Sequence, residues 1–194
     1  MQVPSLWGQF TYRHSMTTAE RDTAFTTGWR MTLVARIVPL GGTPIDPHFR
    51  SGIALSMGSR RYDFGLFGDG RIGVNDRVFS GRSELSRAFA ADTSTYRWVE
   101  LTAAPSSPTA DLWIDGVKVL QGYAGHTDFL FGNAISFGSV YGLGQGNINL
   151  AKLETGVWSS GYAPPVPEPA AWALVLPVLA GFLALRGRTK RSNA

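Results

Sequence analysis

The acidic residues of this chain are the first candidates for chemistry, because hydrolysis of a glycosidic bond generally needs two carboxyl groups that flank it. Asp111 and Asp115 fall on the same face of one predicted strand. Four residues at about 3.3 Å each place them roughly 13 Å apart. That separation exceeds the about 5 Å of a retaining pair and the about 9 Å upper limit of an inverting pair. The sequence therefore predicts a protein that is not an enzyme.

Metal chemistry has little support in the residue pattern. The three histidines, His14, His48 and His126, show no metal-ligand spacing, and we interpret them as solvated loop residues. Calcium is the one ion left open, because carboxylates in loops are its usual ligands. The candidates, which lie in or near predicted loops, are Asp69, Asp76 and Asp128. Since aspartate also forms turns, a structural role is the alternative, and no cofactor is predicted.

Aromatic side chains could form a platform on which the apolar face of a sugar ring stacks. Trp113 alternates with the apolar residues Leu112 and Ile114, so it is expected to face outward from its strand. Tyr123 and Tyr141 lie in predicted loops and are further candidates. Half-buried packing of such aromatics is the alternative interpretation.

The elements that must position these residues are predicted to be β-strands, because apolar residues recur at every second position through most of the chain. The alternating segments are 29–37, 53–57, 62–66, 72–74, 98–103, 110–114, 117–120, 135–137 and 148–157. Asp115-Gly116 joins two of them and is a strong hairpin signal. Roughly ten short strands without a convincing amphipathic helix predict an all-β, antiparallel two-sheet sandwich over residues 1–160.

The overall charge does not indicate a nucleic-acid partner. The chain has a formal net charge of +4, but four of its 18 basic residues lie in the last nine positions. The part before residue 166 is left with 14 basic and 13 acidic residues and is nearly neutral. The absence of cysteine excludes disulfides, thiolate metal sites and a cysteine nucleophile. These counts predict no binding to nucleic acid.

The C-terminal segment has three parts that suit membrane insertion. Residues 161–169 form a Pro-rich linker, residues 170–185 carry no charge, and residues 186–194 are basic. A helix over 170–185 would span about 24 Å, somewhat less than the roughly 30 Å of a hydrocarbon core. Because the segment is apolar on every side, we predict a transmembrane helix rather than a core helix. The positive-inside rule assigns a cytoplasmic stop to Arg186, Arg188, Lys190 and Arg191.

The order Pro167-Glu168-Pro169, apolar run and arginine cluster resembles the PEP-CTERM sorting signal of Gram-negative bacteria. The resemblance implies that a membrane-embedded exosortase recognises Pro167, Glu168 and Pro169 and removes the tail. It also implies an exported precursor held in the inner membrane and then a location at the cell surface or in the extracellular matrix. Members of the family start with a signal peptide, which residues 1–10 do not resemble. We therefore expect that the start has been assigned too far downstream; a truncated chain and another export route are the alternatives.

Three segments of the body, 96–101, 110–119 and 135–138, resemble the concanavalin A-like or laminin-G-like jelly roll in their aromatic strand, Asp-Gly turn and apolar-Phe-Gly strand. The resemblance implies that carbohydrate or protein ligands are common for such a sandwich. Together with the link between this sorting system and exopolysaccharide, it predicts a surface or matrix protein that binds a glycan or a matrix component. The alternatives are a structural or adhesive matrix protein without a defined ligand and a polysaccharide hydrolase.

Overall fold

The computed structural model of the protein describes residues 10–38, 49–75, 87–127, 132–139 and 145–163. Within these ranges the chain forms eleven β-strands and one α-helix. The helix, α1, covers Thr18–Thr27. The strands are β1 (Phe10–Ser15), β2 (Trp29–Val38), β3 (Phe49–Met57), β4 (Arg60–Phe67), β5 (Arg71–Val74), β6 (Arg87–Ala90), β7 (Arg97–Ala103), β8 (Ala110–Ile114), β9 (Val117–Tyr123), β10 (Ala134–Ser139) and β11 (Gln145–Thr155).

The strands form two antiparallel sheets. The six-stranded sheet has the order β1-β10-β3-β4-β5-β6, and the five-stranded sheet has the order β11-β2-β7-β8-β9. Every described pairing between neighbouring strands is antiparallel. The prediction of an all-β, two-sheet antiparallel sandwich is therefore confirmed.

The core lies between the sheets because apolar residues occupy alternate positions along the paired strands. In β2, the inward-facing residues Trp29, Met31, Leu33 and Ala35 are at most 1% exposed. The opposite sheet contributes side chains that are equally buried, including Ile53, Leu55, Phe64, Leu66 and Ile72. Tyr62 of the same sheet is also buried, and its hydroxyl donates to the Pro108 carbonyl at 2.8 Å. Burial raises the pKa of this hydroxyl.

The Asp115-Gly116 hairpin is confirmed between β8 and β9. Both residues have positive φ, 48° and 79°, as a type I′ turn requires. The predicted strands correspond to β2–β5 and β7–β11, with ends shifted by a few residues. Strands β1 and β6, at the two edges of the six-stranded sheet, were not predicted.

Helix α1 was not among the predicted elements, since the sequence indicated no convincing amphipathic helix. Only Ala24 in it is buried, so it has almost no apolar stripe for a sequence pattern to reveal. Its start is fixed by a capping box, in which Glu20 N–H donates to Thr17 Oγ1 at 3.2 Å and Thr17 N–H donates to Glu20 Oε2 at 2.7 Å.

The chain divides into one compact unit over residues 1–162 and a second over 163–194. The predicted membrane helix at 170–185, the Pro-Glu-Pro signal and the basic tail all lie outside the described residues. In the part of the chain that the structure describes, no helix is long and apolar enough to cross a membrane.

Candidate functional site

Trp113 lies on the outer face of the five-stranded sheet, while Leu112 and Ile114 on either side of it are buried, as the alternation predicts. Its indole N–H donates to Thr102 Oγ1 at 3.0 Å. The ammonium of Lys118 lies 4.7 Å from the ring centroid. One face of the indole is therefore already occupied by a cation.

The carboxylates considered for catalysis are both tied to neighbouring groups. Asp111 accepts from Lys118 Nζ at 2.7 Å and from the Gly122 N–H at 3.0 Å. Asp115 accepts from Arg97 at 2.9 Å and from the Trp98 N–H at 3.0 Å. Both sets of contacts hold the β7, β8 and β9 strands in register, which is a structural role.

Tyr123 does not lie in a loop, as the sequence suggested, but at the end of β9, where it is fully buried. Its hydroxyl donates to the carbonyl of Asn75 at 2.5 Å and lies 3.4 Å from Asp63 Oδ1. A ring with no exposed surface cannot serve as a platform for a ligand from solvent. Tyr141 lies outside the described residues.

The interpretation of His126 as a solvated residue is wrong, because its side chain is buried. Its Nε2 lies 3.1 Å from Asp63 Oδ1, while Arg61 Nε donates to the other carboxylate oxygen at 3.2 Å. The Nδ1 atom of His126 is buried without a hydrogen-bond partner. Asp63 thus joins a cation and an imidazole in a polar cluster beneath the surface of the six-stranded sheet.

The calcium candidates do not converge on a site in the described residues. Asp69 lies beside Arg71, with 3.6 Å between Oδ2 and Nε. Asp76, Asp128 and His48 lie outside the described residues. Across the described ranges, no group of three or more histidine, aspartate or glutamate side chains is placed to hold a metal ion.

A cleft of about 750 Å³, here called the edge cleft, is lined by apolar, aromatic and charged residues. It opens where the edge strands β1 and β11 of the two sheets come together, with α1 at one end. Its lining residues are Tyr12, Arg13, His14, Met16, Ala19, Glu20, Thr23, Ile135, Phe137, Ala151, Lys152, Leu153 and Thr155.

An aromatic pair lies at this cleft. Tyr12 on β1 stacks on Phe137 of β10, with 5.2 Å between the ring centroids and 25° between the planes. The pairing follows from register, since Tyr12 and Phe137 are directly opposite each other across two antiparallel strands. Tyr12 remains 40% exposed, so part of its ring is accessible to a ligand.

Polar groups surround the aromatic pair. His14 Nε2 lies 3.6 Å from Glu20 Oε1, and the Lys152 ammonium lies 3.0 Å from Glu154 Oε1. Hydrogen bonds from the Thr17 backbone and then from its hydroxyl, with a smaller effect of His14, hold the pKa of Glu20 below its ordinary value. The rim of the edge cleft therefore presents an ionised carboxylate and an imidazole, whereas the Lys152 ammonium lies with Glu154 on the outer face of the five-stranded sheet.

Sequence patterning missed this site because part of its lining comes from β1 and α1, neither of which was predicted. The alternation of Tyr12 and His14 with Thr11 and Arg13 was a usable strand signal. The spacing of Thr17 and Glu20 was a usable signal for a helix start. Only the pairing of β1 with β10 brings the two aromatics together.

A second built feature is the segment after β11, residues 156–162, here called the strap. It crosses the outer face of the five-stranded sheet and covers Glu100, whose side chain is fully buried. Glu100 accepts from the Ser160 hydroxyl at 2.6 Å and from the Gly161 N–H at 3.0 Å. The Tyr162 ring packs edge-on against Trp98, with 6.2 Å between centroids.

No family model and no curated protein matches the chain. Solved structures similar to it include a sialidase, at 10% identity over 79% of this chain with a TM-score of 0.46. A structure of botulinum neurotoxin type C, whose cell entry depends on interaction with two ganglioside molecules, is similar over 83% of the chain, at 10% identity and a TM-score of 0.49. A galectin of Caenorhabditis elegans is similar over 79%, at 14% identity and a TM-score of 0.39.

The chain covers 15% of the sialidase, 42% of the neurotoxin structure and 95% of the galectin. At these identities and TM-scores, the assignment of the fold depends on the strand order and register of this chain itself.

Proposed function

We propose that this chain is an exported surface or matrix protein whose sandwich binds a glycan, or a glycan-bearing matrix component, in the edge cleft. The observation that carries the proposal is the stacked pair of Tyr12 and Phe137 beside Glu20 and His14. A concave site with aromatic walls and a few convergent polar groups is the usual form of a small-ligand site.

The chemistry of the site suits a sugar. A pyranose ring has an apolar C–H face, which packs on an aromatic ring, and an edge of hydroxyl groups, which donate and accept hydrogen bonds. Tyr12 offers the first kind of contact. The Glu20 carboxylate accepts from hydroxyls, and the His14 imidazole donates to them or accepts from them; bonds to a charged carboxylate are the stronger ones.

We assign binding to this site and no catalysis. The sequence suggested Asp111 and Asp115 as candidates for hydrolysis. Each is held by a basic side chain and a backbone N–H within the five-stranded sheet, on strands that do not line the cleft. In the cleft, Glu20 is already the capping residue of α1. The competing proposal is a structural or adhesive protein without a defined ligand.

The proposed delivery to the surface has separate support, from the sequence of the tail alone. The Pro-Glu-Pro segment, the apolar run at 170–185 and the basic cluster are what an exosortase substrate would need. This route and the grouping with concanavalin A-like sandwiches stay predictions of the sequence. Detection of the chain in membrane and surface fractions, with and without substitution of Glu168 by alanine, tests the route independently of any glycan.

A glycan array with matched variants tests the binding proposal. We expect Tyr12→Ala to lower the affinity for any bound glycan about fivefold, since aromatic packing of this kind contributes on the order of 1 kcal/mol. The control is Tyr96→Ala, because Tyr96 is 46% exposed and lies beside Arg36, away from the cleft. An array that stays silent while the protein self-associates would favour the adhesive alternative. Binding lost only in Trp113→Ala would place the site on the outer face of the five-stranded sheet.

A further inference from the structure

The floor of the edge cleft is apolar and points into the space between the sheets. Four of its residues, Ile135, Phe137, Ala151 and Leu153, belong to the apolar layer that packs against the core. All four remain partly exposed. Apolar side chains that face the interior of a sandwich yet remain accessible mark a place where the two layers do not close on each other.

The next row toward the centre of the sandwich is sealed, so the opening does not extend past β10 and β11. Phe137 pairs with Ile53, which is 1% exposed, and Leu153 pairs with Met31, which is 0% exposed. One strand further in, the two sheets therefore touch. The apolar part of the cleft is a slot that begins at the rim and ends at the core.

Ala151 helps to keep the slot open. It pairs with Leu33 of β2 and faces inward like Leu153, but its side chain is a single methyl group. A larger aliphatic residue at this position would extend toward Ile135 and Phe137 of the opposite sheet. The apolar floor of the slot is thus exposed to water and would be buried when a ligand binds.

We propose, as a refinement that depends on the proposed function, that the ligand of the edge cleft is an amphiphile: a sugar that carries an alkyl or acyl chain. The sugar lies at the rim, against Tyr12, His14 and Glu20. The chain enters the slot between Phe137 and Leu153. A purely polar oligosaccharide would leave the slot unfilled, whereas a purely apolar ligand would leave the charged rim without partners.

The test is a series of β-D-glucosides with methyl, butyl and hexyl chains, titrated calorimetrically below their aggregation concentrations. Each methylene that enters the slot is expected to tighten binding about threefold to fourfold, from about 0.8 kcal/mol per buried CH₂. The hexyl compound should therefore bind about tenfold more tightly than the butyl compound. A dissociation constant that does not change with chain length would overturn the proposal.

Two variants connect the effect to the slot. Ala151→Phe should fill the slot and remove the dependence on chain length. If Ala151→Phe disturbs folding, Ala151→Leu is the second variant, and it should reduce that dependence. Ala90→Phe is the matched control, because Ala90 is an exposed strand residue on β6, the opposite edge of the six-stranded sheet. If the chain-length dependence persists in a folded Ala151→Phe protein, the alkyl group binds elsewhere and the proposal is wrong.

The outcome separates this inference from the proposed function. Glycan binding that Tyr12→Ala weakens, combined with no dependence on chain length, would reject the amphiphile and leave the glycan site in place. Failure of every glucoside and every array glycan to bind would reject both.

Discussion

Ser160 donates its hydroxyl proton to Glu100 across 2.6 Å, although the two residues are 60 positions apart in the chain. Glu100 also accepts from Thr32 Oγ1 at 3.3 Å, and its Oε1 lies 3.5 Å from Arg30 Nε. A fully buried carboxylate is stable only when such donors surround it. The strap therefore belongs to the folded sandwich, and Glu100 is the group that holds it.

Glu100→Gln is expected to destabilise the protein by about 2–4 kcal/mol, because one acceptor oxygen is replaced by an amide group that faces other donors. Urea unfolding measures the change, and near-UV circular dichroism should report a loosened contact between Trp98 and Tyr162. Asp22→Asn serves as the control, since Asp22 is 57% exposed and pairs only with the adjacent Arg21. Equal stability of the two variants would mean that the strap contributes little.

The ion pair next to the strap predicts a pH dependence. Burial raises the pKa of Glu154, but hydrogen bonds from Arg30 and Lys152 and their charges lower it by more, so the folded value lies below the ordinary 4.5. A carboxyl group with a lowered folded pKa stabilises the protein above its unfolded pKa and loses that effect as the pH falls through the folded value. Glu154→Gln should cost about 1 kcal/mol at neutral pH and progressively less below about pH 4.5. A difference between the two proteins that does not change from pH 7 to about pH 3 would contradict this.

The buried cluster around Asp63 should tolerate little change. In Asp63→Asn, the guanidinium of Arg61 would face an amide instead of a carboxylate, in surroundings that leave the Asp63 side chain only 9% exposed. We expect a loss of about 2–3 kcal/mol in the free energy of unfolding. Asp22→Asn again provides an exposed aspartate–arginine pair for comparison, with an expected loss below about 0.5 kcal/mol. Similar losses for both would show that the cluster is as well solvated as the surface.

The closeness of β5 and β6 predicts a strong effect at Gly73. A Cβ atom there would overlap the carbonyl oxygen of Arg87 and lie 2.7 Å from the Ala88 Cα, and neither backbone atom can move without breaking the pairing. Gly73→Ala should therefore cost about 2–3 kcal/mol in thermal or urea unfolding. Gly58→Ala is a comparison with open space around it but a φ of +60°, so only about 1 kcal/mol of backbone strain is expected. The reverse order of the two costs would contradict the described contact.

Sequence patterning located the strands in which apolar residues recur at every second position. β2 alternates because one face packs in the core, and Asp115-Gly116 forms the predicted hairpin because both residues take positive φ. β1 and α1 were missed because their residues are mostly exposed, so no apolar periodicity marks them. The edge cleft depends on both of these elements, and for that reason the sequence did not predict it.

Burial of polar groups was the second property that local patterning could not supply. Glu100 lies between the inward-facing Val99 and Leu101, so the alternation places it on the outer face of the sheet. Nothing near it in the sequence indicates that residues 160 and 161 will cover it. His126 was interpreted as solvated because its partner, Asp63, is 63 residues away. Both burials depend on contacts that exist only after the sheets have assembled.

The strap also determines where this domain ends. The last strand stops at Thr155, so a truncated protein that finished at Gly156 would retain every described strand. It would nevertheless lack Ser160 and Gly161, and the Glu100 carboxylate would stand on an uncovered sheet surface with fewer donors. A fragment that keeps the donors to this carboxylate in the middle of β7 must extend to Gly161, and one that keeps the ring contact with Trp98 must extend to Tyr162.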